Sequence, residues 1–146
     1  MPIWGSWYNE LGSMMQLSSG SSGTLRGTYW SAVGQATRQY QLQGTYDSKP
    51  LPGSGGQAAG WAVAWNNAYM NAHSNTSWSG QYQVQNGQEQ IYTLWLLASS
   101  VTPDNDWQST QVGQDTFTRN PPSAEIVERR RAAGHLSHPP AANKDE

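Results

Sequence analysis

The chain has 146 residues, a length that fits one domain with a buried core. It contains no cysteine, which excludes disulfide frameworks and thiolate metal sites, and its net charge of −2 offers no attraction to nucleic acid or an anionic membrane. Aliphatic residues are scarce, but eight tryptophans and seven tyrosines supply the large apolar areas that a core needs. We therefore expect a folded domain with an aromatic interior and no metal, nucleic-acid or membrane partner.

Short segments of alternating polar and apolar residues, separated by turn residues, fill the chain up to residue 118. This period of two is typical of β-strands with one buried face. The dipeptide Asn86–Gly87 is the clearest hairpin signal between them. The predicted strands are 6–11, 13–18, 24–31, 37–47, 58–67, 76–84, 88–99 and 107–118. Eight antiparallel strands joined by short turns predict an all-β fold, either an up-and-down barrel or a sandwich.

The segment 61–79 joins tryptophan and hydroxyl side chains on two neighbouring predicted strands. A polar turn containing His73 is expected between them, with the second strand beginning at Thr76. Because side chains alternate along a strand, Trp65, Thr76 and Trp78 point to one side of the sheet. A tryptophan wall with hydroxyls set into it suits a ligand pocket better than a dry core.

More polar side chains fall on the same predicted inner face than a dry core accommodates, because unpaired buried polar groups cost free energy. A small ligand with a polar head would supply partners for them. Hydrogen bonds among these groups, or buried water, would satisfy them instead. The inward polar set is Asn9, Ser13, Tyr29, Ser31, Thr76 and Asp115, with Ser74 at the mouth.

The predicted strand 88–99 is apolar on both faces, since Tyr92, Leu94 and Leu96 alternate with an equally apolar inner set. A monomeric barrel needs only its inner face dry, so the outer face of this strand requires a cover. Another subunit, or the C-terminal segment folded back, would provide it. We favour another subunit.

The character of the chain changes after residue 118, which divides it into a barrel domain, 1–118, and a C-terminal tail, 119–146. Pro121 and Pro122 end the sheet. The pattern then predicts a short helix over 123–133, with Ser123 as its N-cap and arginines in its last turn, which suits the helix dipole. Residues 135–146 are predicted to be disordered.

Several segments in order along residues 4–118 resemble the biotin-binding avidin family, most closely its streptavidin-like bacterial branch. The segments are GSWYNELGS (5–13), GTYWSAVG (27–34), GWAVAW (60–65), NAHS (71–74), WSGQY (78–82), WLL (95–97) and VGQDTFT (112–118). The resemblance implies an eight-stranded up-and-down barrel that binds and sequesters biotin without catalysis and without a cofactor. It also implies a secreted homotetramer, although no signal peptide is visible at the start of the chain.

The resemblance assigns polar contacts with the ureido group of biotin to five residues. Asn9, Ser13 and Tyr29 would donate hydrogen bonds to the ureido oxygen. Ser31 and Asp115 would accept hydrogen bonds from the two ureido N–H groups. These roles are expectations carried over from the family.

The remaining implied contacts surround the rest of the ligand. Thr76 would face the thioether sulfur, and Ser74 and the backbone N–H of Gln35 would meet the carboxylate. Trp107 would close the pocket of a neighbouring subunit. The side chains implied to enclose the ring and the valeryl chain are Val33, Trp65, Trp78, Trp95 and Leu97.

Three other functions fit parts of the pattern. A lectin-like module would stack sugar rings on the tryptophans, but it needs an open groove and leaves the polar set unexplained. A barrel filled by its own C-terminal tail would be a structural or adhesive subunit. A hydrolase triad of His73, Asp115 and a serine is set aside, because nothing in the sequence brings His73 beside an inward serine.

Overall fold

Eight antiparallel strands close into a barrel in the computed structural model, which describes residues 3–20, 22–31, 38–53 and 55–133. Each strand pairs with the next along the chain, and the last returns to the first. The strands are β1 Gly5–Tyr8, β2 Met14–Ser19, β3 Thr24–Trp30, β4 Gln39–Tyr46, β5 Gln57–Asn66, β6 Asn71–Gln85, β7 Gln88–Ser99 and β8 Thr110–Thr118. The predicted all-β up-and-down barrel is confirmed.

In the part of the chain that the structure describes, two short helices lie outside the barrel wall. A 3-10 helix, Pro103–Gln108, precedes β8, and an α-helix, α1 Ala124–Ala132, follows it. The hydroxyl of Ser123 accepts a hydrogen bond from the backbone N–H of Ile126 at 3.2 Å, so the predicted N-cap of α1 is confirmed. Within the described part of the chain, no helix is long and apolar enough to cross a membrane.

The barrel interior is filled largely by aromatic rings, as the composition predicts. Tyr40 meets Trp65 edge to face at a centroid distance of 5.0 Å, and Trp61 stacks on Trp78 at 6.0 Å. These rings are almost fully buried. Aromatic side chains bury large areas and prefer such edge-to-face and offset contacts, so they replace the missing aliphatic core.

The first strand ends at Tyr8, and the prediction that it continues to Leu11 is wrong. The side-chain Oδ1 of Asn9 accepts hydrogen bonds from the backbone N–H groups of Leu11 at 3.1 Å and Ser13 at 3.0 Å. This bonding closes a turn over residues 9–12 and replaces the strand ladder. Asn9 and Leu11 are nevertheless buried, as the predicted alternation requires.

The turn between β5 and β6 is shorter than predicted. Oδ1 of Asn67 accepts hydrogen bonds from the backbone N–H groups of Tyr69 at 2.9 Å and Met70 at 3.0 Å, which closes the turn within four residues. Strand β6 therefore begins at Asn71 instead of Thr76. His73 lies in that strand with a φ of 50°, so its predicted place in a turn is wrong.

Trp107 lies in the 3-10 helix and not at the start of the eighth strand, which begins at Thr110. Pro103 stands in the first turn of this helix, where its fixed φ and missing N–H are tolerated. The helix holds Trp107 outside the barrel, with 81% of its surface exposed.

The barrel closes between β1 and β8, where Tyr8 stands opposite Thr118. We call this junction the seam. Arg119, the residue after β8, reaches across the seam: its Nη1 donates to the backbone oxygens of Trp4 at 3.0 Å and Ser6 at 3.2 Å. A side chain therefore supplies bonds that the short strand pairing lacks.

The guanidinium of Arg119 also joins an aromatic and acidic cluster at the same end of the barrel. Its Cζ lies 3.7 Å over the ring of Trp7, and its Nε donates to Glu89 Oε2 at 3.0 Å. The hydrogen bond from Arg119 lowers the pKa of Glu89, whereas burial and the bond to Glu89 raise the pKa of Tyr82 to about 12. Tyr82 donates to Glu89 Oε1 at 2.9 Å, so the cluster binds the carboxylate in its charged form.

Replacing Arg119 with alanine should lower the free energy of unfolding at pH 7 by about 2 kcal/mol, because a cation–π contact and charge-assisted hydrogen bonds are lost. The folded-state pKa of Glu89 is depressed, so the stability that this ion pair contributes is present above about pH 4.5 and is lost as the pH falls further. Urea unfolding at pH 7 and at low pH should therefore show that the variant's loss in free energy of unfolding, relative to wild type, becomes smaller in acid.

Arg129→Ala, which removes an exposed ion pair with Glu125, is the control and should change the free energy of unfolding by less than about 0.5 kcal/mol. Equal effects of the two variants would contradict the assignment.

Candidate ligand-binding site

Except for Trp107, the predicted site residues that the structure describes converge on the barrel interior from the β1–β2 turn, from β3 and the residue after it, and from β5, β6, β7 and β8. All are buried except Ser31 and Ser74, which are half-buried, and Trp107, which is exposed. Val33 and Gln35 lie outside the described residues. The buried members are Asn9, Ser13, Tyr29, Trp65, Thr76, Trp78, Trp95, Leu97 and Asp115.

Asn9, Ser13 and Tyr29 form one polar group. The turn occupies the Oδ1 of Asn9, which leaves its Nδ2 to point at the Tyr29 hydroxyl at 3.4 Å. Burial and the charge of Asp115 raise the pKa of Tyr29 well above its ordinary value, although a hydrogen bond with Ser13 opposes this shift. The phenol is therefore protonated at neutral pH and can donate a hydrogen bond.

Asp115 supplies the acceptor on β8. Its Oδ2 accepts a hydrogen bond from Trp78 Nε1 at 2.9 Å, and its backbone oxygen accepts one from the Thr93 hydroxyl at 2.8 Å. The residue is only 2% exposed, so its carboxylate depends on donors from inside the barrel. A carboxylate held in this way can accept a further hydrogen bond from a ligand N–H.

Tryptophan rings connect these two polar groups. Tyr29 lies 5.5 Å from Trp65 and 5.2 Å from Trp78, measured between ring centroids. Trp65 donates through Nε1 to the Thr76 hydroxyl at 2.9 Å, which fixes the plane of its ring. The interior therefore combines flat apolar walls with polar atoms in fixed orientations, as small-molecule sites do.

Gly113 makes room for the ring of Trp95 on the facing strand. The two residues stand opposite each other in the β7–β8 register. A Cβ at position 113 would lie 2.1 Å from Trp95 Cζ2, so any larger residue would displace the ring. The glycine of the segment 112–118 thus has a packing role in the site.

Ser74 and Trp61 carry polar atoms that are open to a further partner. The Ser74 hydroxyl and the Trp61 Nε1 are buried and have no hydrogen-bond partner among the residues that the structure describes. Buried polar groups are normally paired, so such atoms are candidates for ligand or water contacts. Ser74 belongs to the predicted set, whereas Trp61 does not.

The hydrolase arrangement does not form. His73 is exposed on β6, whereas the Asp115 carboxylate is buried against Trp78. In the described ranges, no cluster of three or more histidine, aspartate or glutamate side chains is placed to hold a metal ion.

Two residues at the site were missed by the sequence reasoning. Thr93 shares the predicted inner face of Trp95, so the alternation already contained its signal. Glu10 would lie on the opposite face from Asn9 in the predicted strand 6–11, but the turn redirects it, and its Oε1 accepts a hydrogen bond from the backbone N–H of Thr116 at 2.7 Å. No strand pattern could have shown this contact, because residue 10 is not in a strand.

Comparison with known proteins finds a family model and several relatives whose matches cover the barrel. The model of the avidin family matches residues 1–120. Avidin of Gallus gallus is 34% identical over 123 residues, covering 79% of this chain and 76% of that protein. Avidin-related protein 4/5 of Gallus gallus is 37% identical over 121 residues, covering 79% and 75%. Fibropellin-1 of Strongylocentrotus purpuratus is 30% identical over 120 residues, which cover 79% of this chain but 10% of that protein.

Thr76→Val should lower the free energy of unfolding by about 1–3 kcal/mol, because the buried indole N–H of Trp65 loses this acceptor while the side-chain volume is nearly unchanged. Urea denaturation followed by tryptophan fluorescence measures the loss. Thr76→Ser retains the hydroxyl and is the matched control, expected to unfold closer to wild type than the valine variant. A valine variant as stable as wild type would show that the bond does not fix the ring.

Proposed function

The chain belongs to the avidin family, and we propose that it binds biotin non-covalently within the barrel and sequesters it without chemical conversion. One observation carries the assignment of the pocket. The buried hydrogen-bond donors near Tyr29 and the buried acceptor Asp115 lie in the same aromatic interior, where Trp78 contacts both Tyr29 and Asp115. A ureido group, with one carbonyl oxygen and two N–H groups, is complementary to that arrangement.

Asn9, Ser13 and Tyr29 donate to the ureido oxygen in this proposal. The turn that engages Oδ1 of Asn9 supports the donor role of its Nδ2, and the raised pKa of Tyr29 supports the donor role of the phenol. Donors held in place before the ligand arrives lose little freedom on binding, which favours affinity.

Ser31 and Asp115 accept hydrogen bonds from the two ureido N–H groups. The carboxylate polarises the ureido group, so the bonds at the opposite oxygen become stronger. The hydrogen bond from Trp78 fixes the carboxylate beside the tryptophan walls. The polar and apolar parts of the pocket are therefore held by the same contact.

The rest of the ligand contacts apolar side chains and the mouth. Thr76 faces the thioether, and Ser74 and the backbone N–H of Gln35 bind the carboxylate. The unpaired, buried hydroxyl of Ser74 supports its part in this proposal, as judged over the described residues. The enclosing side chains are Val33, Trp65, Trp78, Trp95 and Leu97.

We assign the chain to the streptavidin-like branch, with secretion as in that branch. The motif GTYWSAVG over 27–34 and the absence of cysteine from the sequence support this assignment. A lectin-like function is disfavoured, because Trp65, Trp78 and Trp95 are at most 3% exposed and present no open stacking surface. The C-terminal residues that could fill the pocket, 134–146, lie outside the described residues.

We propose a homotetramer, in which the β7–β8 outer face, formed by Tyr92, Leu94, Leu96 and Val112, is an interface. These side chains are 47% to 68% exposed in the isolated chain. Leu96 stands opposite Val112 in the register, so the apolar surface is continuous across both strands. A surface of this kind favours association with another copy. Trp107 is 81% exposed and lies in the 3-10 helix that connects β7 to β8. We propose that it reaches the pocket of a neighbouring subunit.

Titration with biotin, followed by tryptophan fluorescence, should show quenching that saturates at one biotin per chain. Asp115→Ala should weaken binding about 10- to 100-fold, because a charged hydrogen-bond acceptor is lost from a buried site. Asp47→Ala, which removes the same charge from an exposed residue, is the control and should bind as wild type does. No spectral change of the wild type at micromolar biotin would refute the proposed function.

Charged residues on the β7–β8 outer face should dissociate the assembly. Analytical ultracentrifugation should find the wild type as a tetramer and the double variant Leu94→Asp/Leu96→Asp as a smaller species, because desolvating the new carboxylates opposes association. Gln41→Asp/Gln43→Asp adds the same charge to the exposed side of β4 and should remain tetrameric. A wild-type monomer, or a double variant that is still a tetramer, would contradict the proposed interface.

A further inference from the structure

The two polar halves of the site lie on opposite sides of the seam. Asn9 follows directly after β1, whereas Asp115 lies on β8. At this junction Tyr8 faces Thr118, whereas β7 and β8 are paired continuously from Gln90 to Ala98. The distance between Asn9, a proposed donor to the ureido group, and Asp115, a proposed acceptor from it, therefore depends on contacts other than a long strand ladder.

Glu10 provides such a contact at the level of the site. Its Oε1 accepts a hydrogen bond from the backbone N–H of Thr116 at 2.7 Å. Glu10 is bonded in the chain to Asn9, and Thr116 is bonded to Asp115. The bond therefore joins atoms that lie one residue from each ligand-binding side chain. A charged acceptor makes it shorter and stronger than a neutral pair would be.

We propose that Glu10 is a positioning residue for biotin, which fixes the distance between Asn9 and Asp115 by tying the β1–β2 turn to β8. The proposal rests on the proposed function of the site. Glu10 does not contact the ligand; it acts through the two residues that do. The negative charge of Glu10 also acts on Tyr29 together with that of Asp115, which places it in the electrostatic surroundings of the site.

Arg119 offers an internal comparison, because it holds the same seam at the opposite end of β1. It bonds the backbone oxygens of Trp4 and Ser6, which precede Tyr8, and it stacks on Trp7. If Glu10 only stabilised the seam, replacing Glu10 or Arg119 would speed biotin dissociation in proportion to the free energy of unfolding that each variant loses. If Glu10 is a positioning residue, its loss should speed biotin dissociation more than the loss of Arg119 does, since only Glu10 adjoins the site.

The experiment measures the dissociation rate of labelled biotin and the free energy of unfolding for the assembled full-length protein and three variants. Glu10→Ala should speed dissociation about 10- to 100-fold, because a hydrogen bond to a charged group is lost. Glu10→Gln should remain within about threefold of wild type, since the amide oxygen can accept the same N–H. Arg119→Ala should lose stability but remain within about threefold in dissociation rate. Glu10→Asp, whose shorter side chain cannot span the distance, replaces Glu10→Ala if that variant does not fold.

The outcomes separate this inference from the proposed function. A wild type that does not bind biotin refutes the function and the inference with it. A wild type that binds, with Glu10→Ala or Glu10→Asp unchanged in dissociation rate, refutes only the positioning role. The inference is also overturned if Arg119→Ala speeds dissociation as much as Glu10→Ala does for the same loss of stability.

Discussion

A carboxylate buried inside an aromatic barrel is the constraint on which the rest of this structure depends. Asp115 is almost inaccessible to solvent, and the indole of Trp78 donates a hydrogen bond to it. An ionised group in such surroundings is costly unless donors compensate for the lost water. The orientation of Trp78 and the polar group around Tyr29 can both be understood as surroundings that this carboxylate requires.

The sequence predicts the faces of the strands better than their ends. A period of two assigns Trp65, Thr76 and Trp78 correctly to the interior, because burial of one face is a property of the whole strand. The ends depend on single side chains: Asn9 and Asn67 each use an amide oxygen to close a turn. An asparagine can either accept hydrogen bonds from backbone N–H groups a few residues further along the chain or continue a strand. The folded structure decides between the two, and the composition of the segment does not show which one forms.

The barrel differs from a simple monomeric barrel in where its polar and apolar groups lie. Polar atoms line part of the interior, whereas Leu94, Leu96 and Val112 form an apolar surface outside. The seam contact of Glu10 shows why the site could be predicted only in part. Its side chain faces away from the pocket in any strand model, and only the turn at residues 9–12 brings it to β8.

The short pairing of β1 with β8 has a consequence for how the barrel opens. Regions with few backbone hydrogen bonds open at lower free energy than the body of a sheet, so β1 is the strand expected to separate first. Opening there would part Asn9 from Asp115, and a ligand held by both would oppose it. By thermodynamic linkage, a molecule that binds only the closed barrel stabilises it as the ligand concentration rises above the dissociation constant. Biotin would then act as an additional bond between the first and last strands, concentrated where the protein's own hydrogen bonds are fewest.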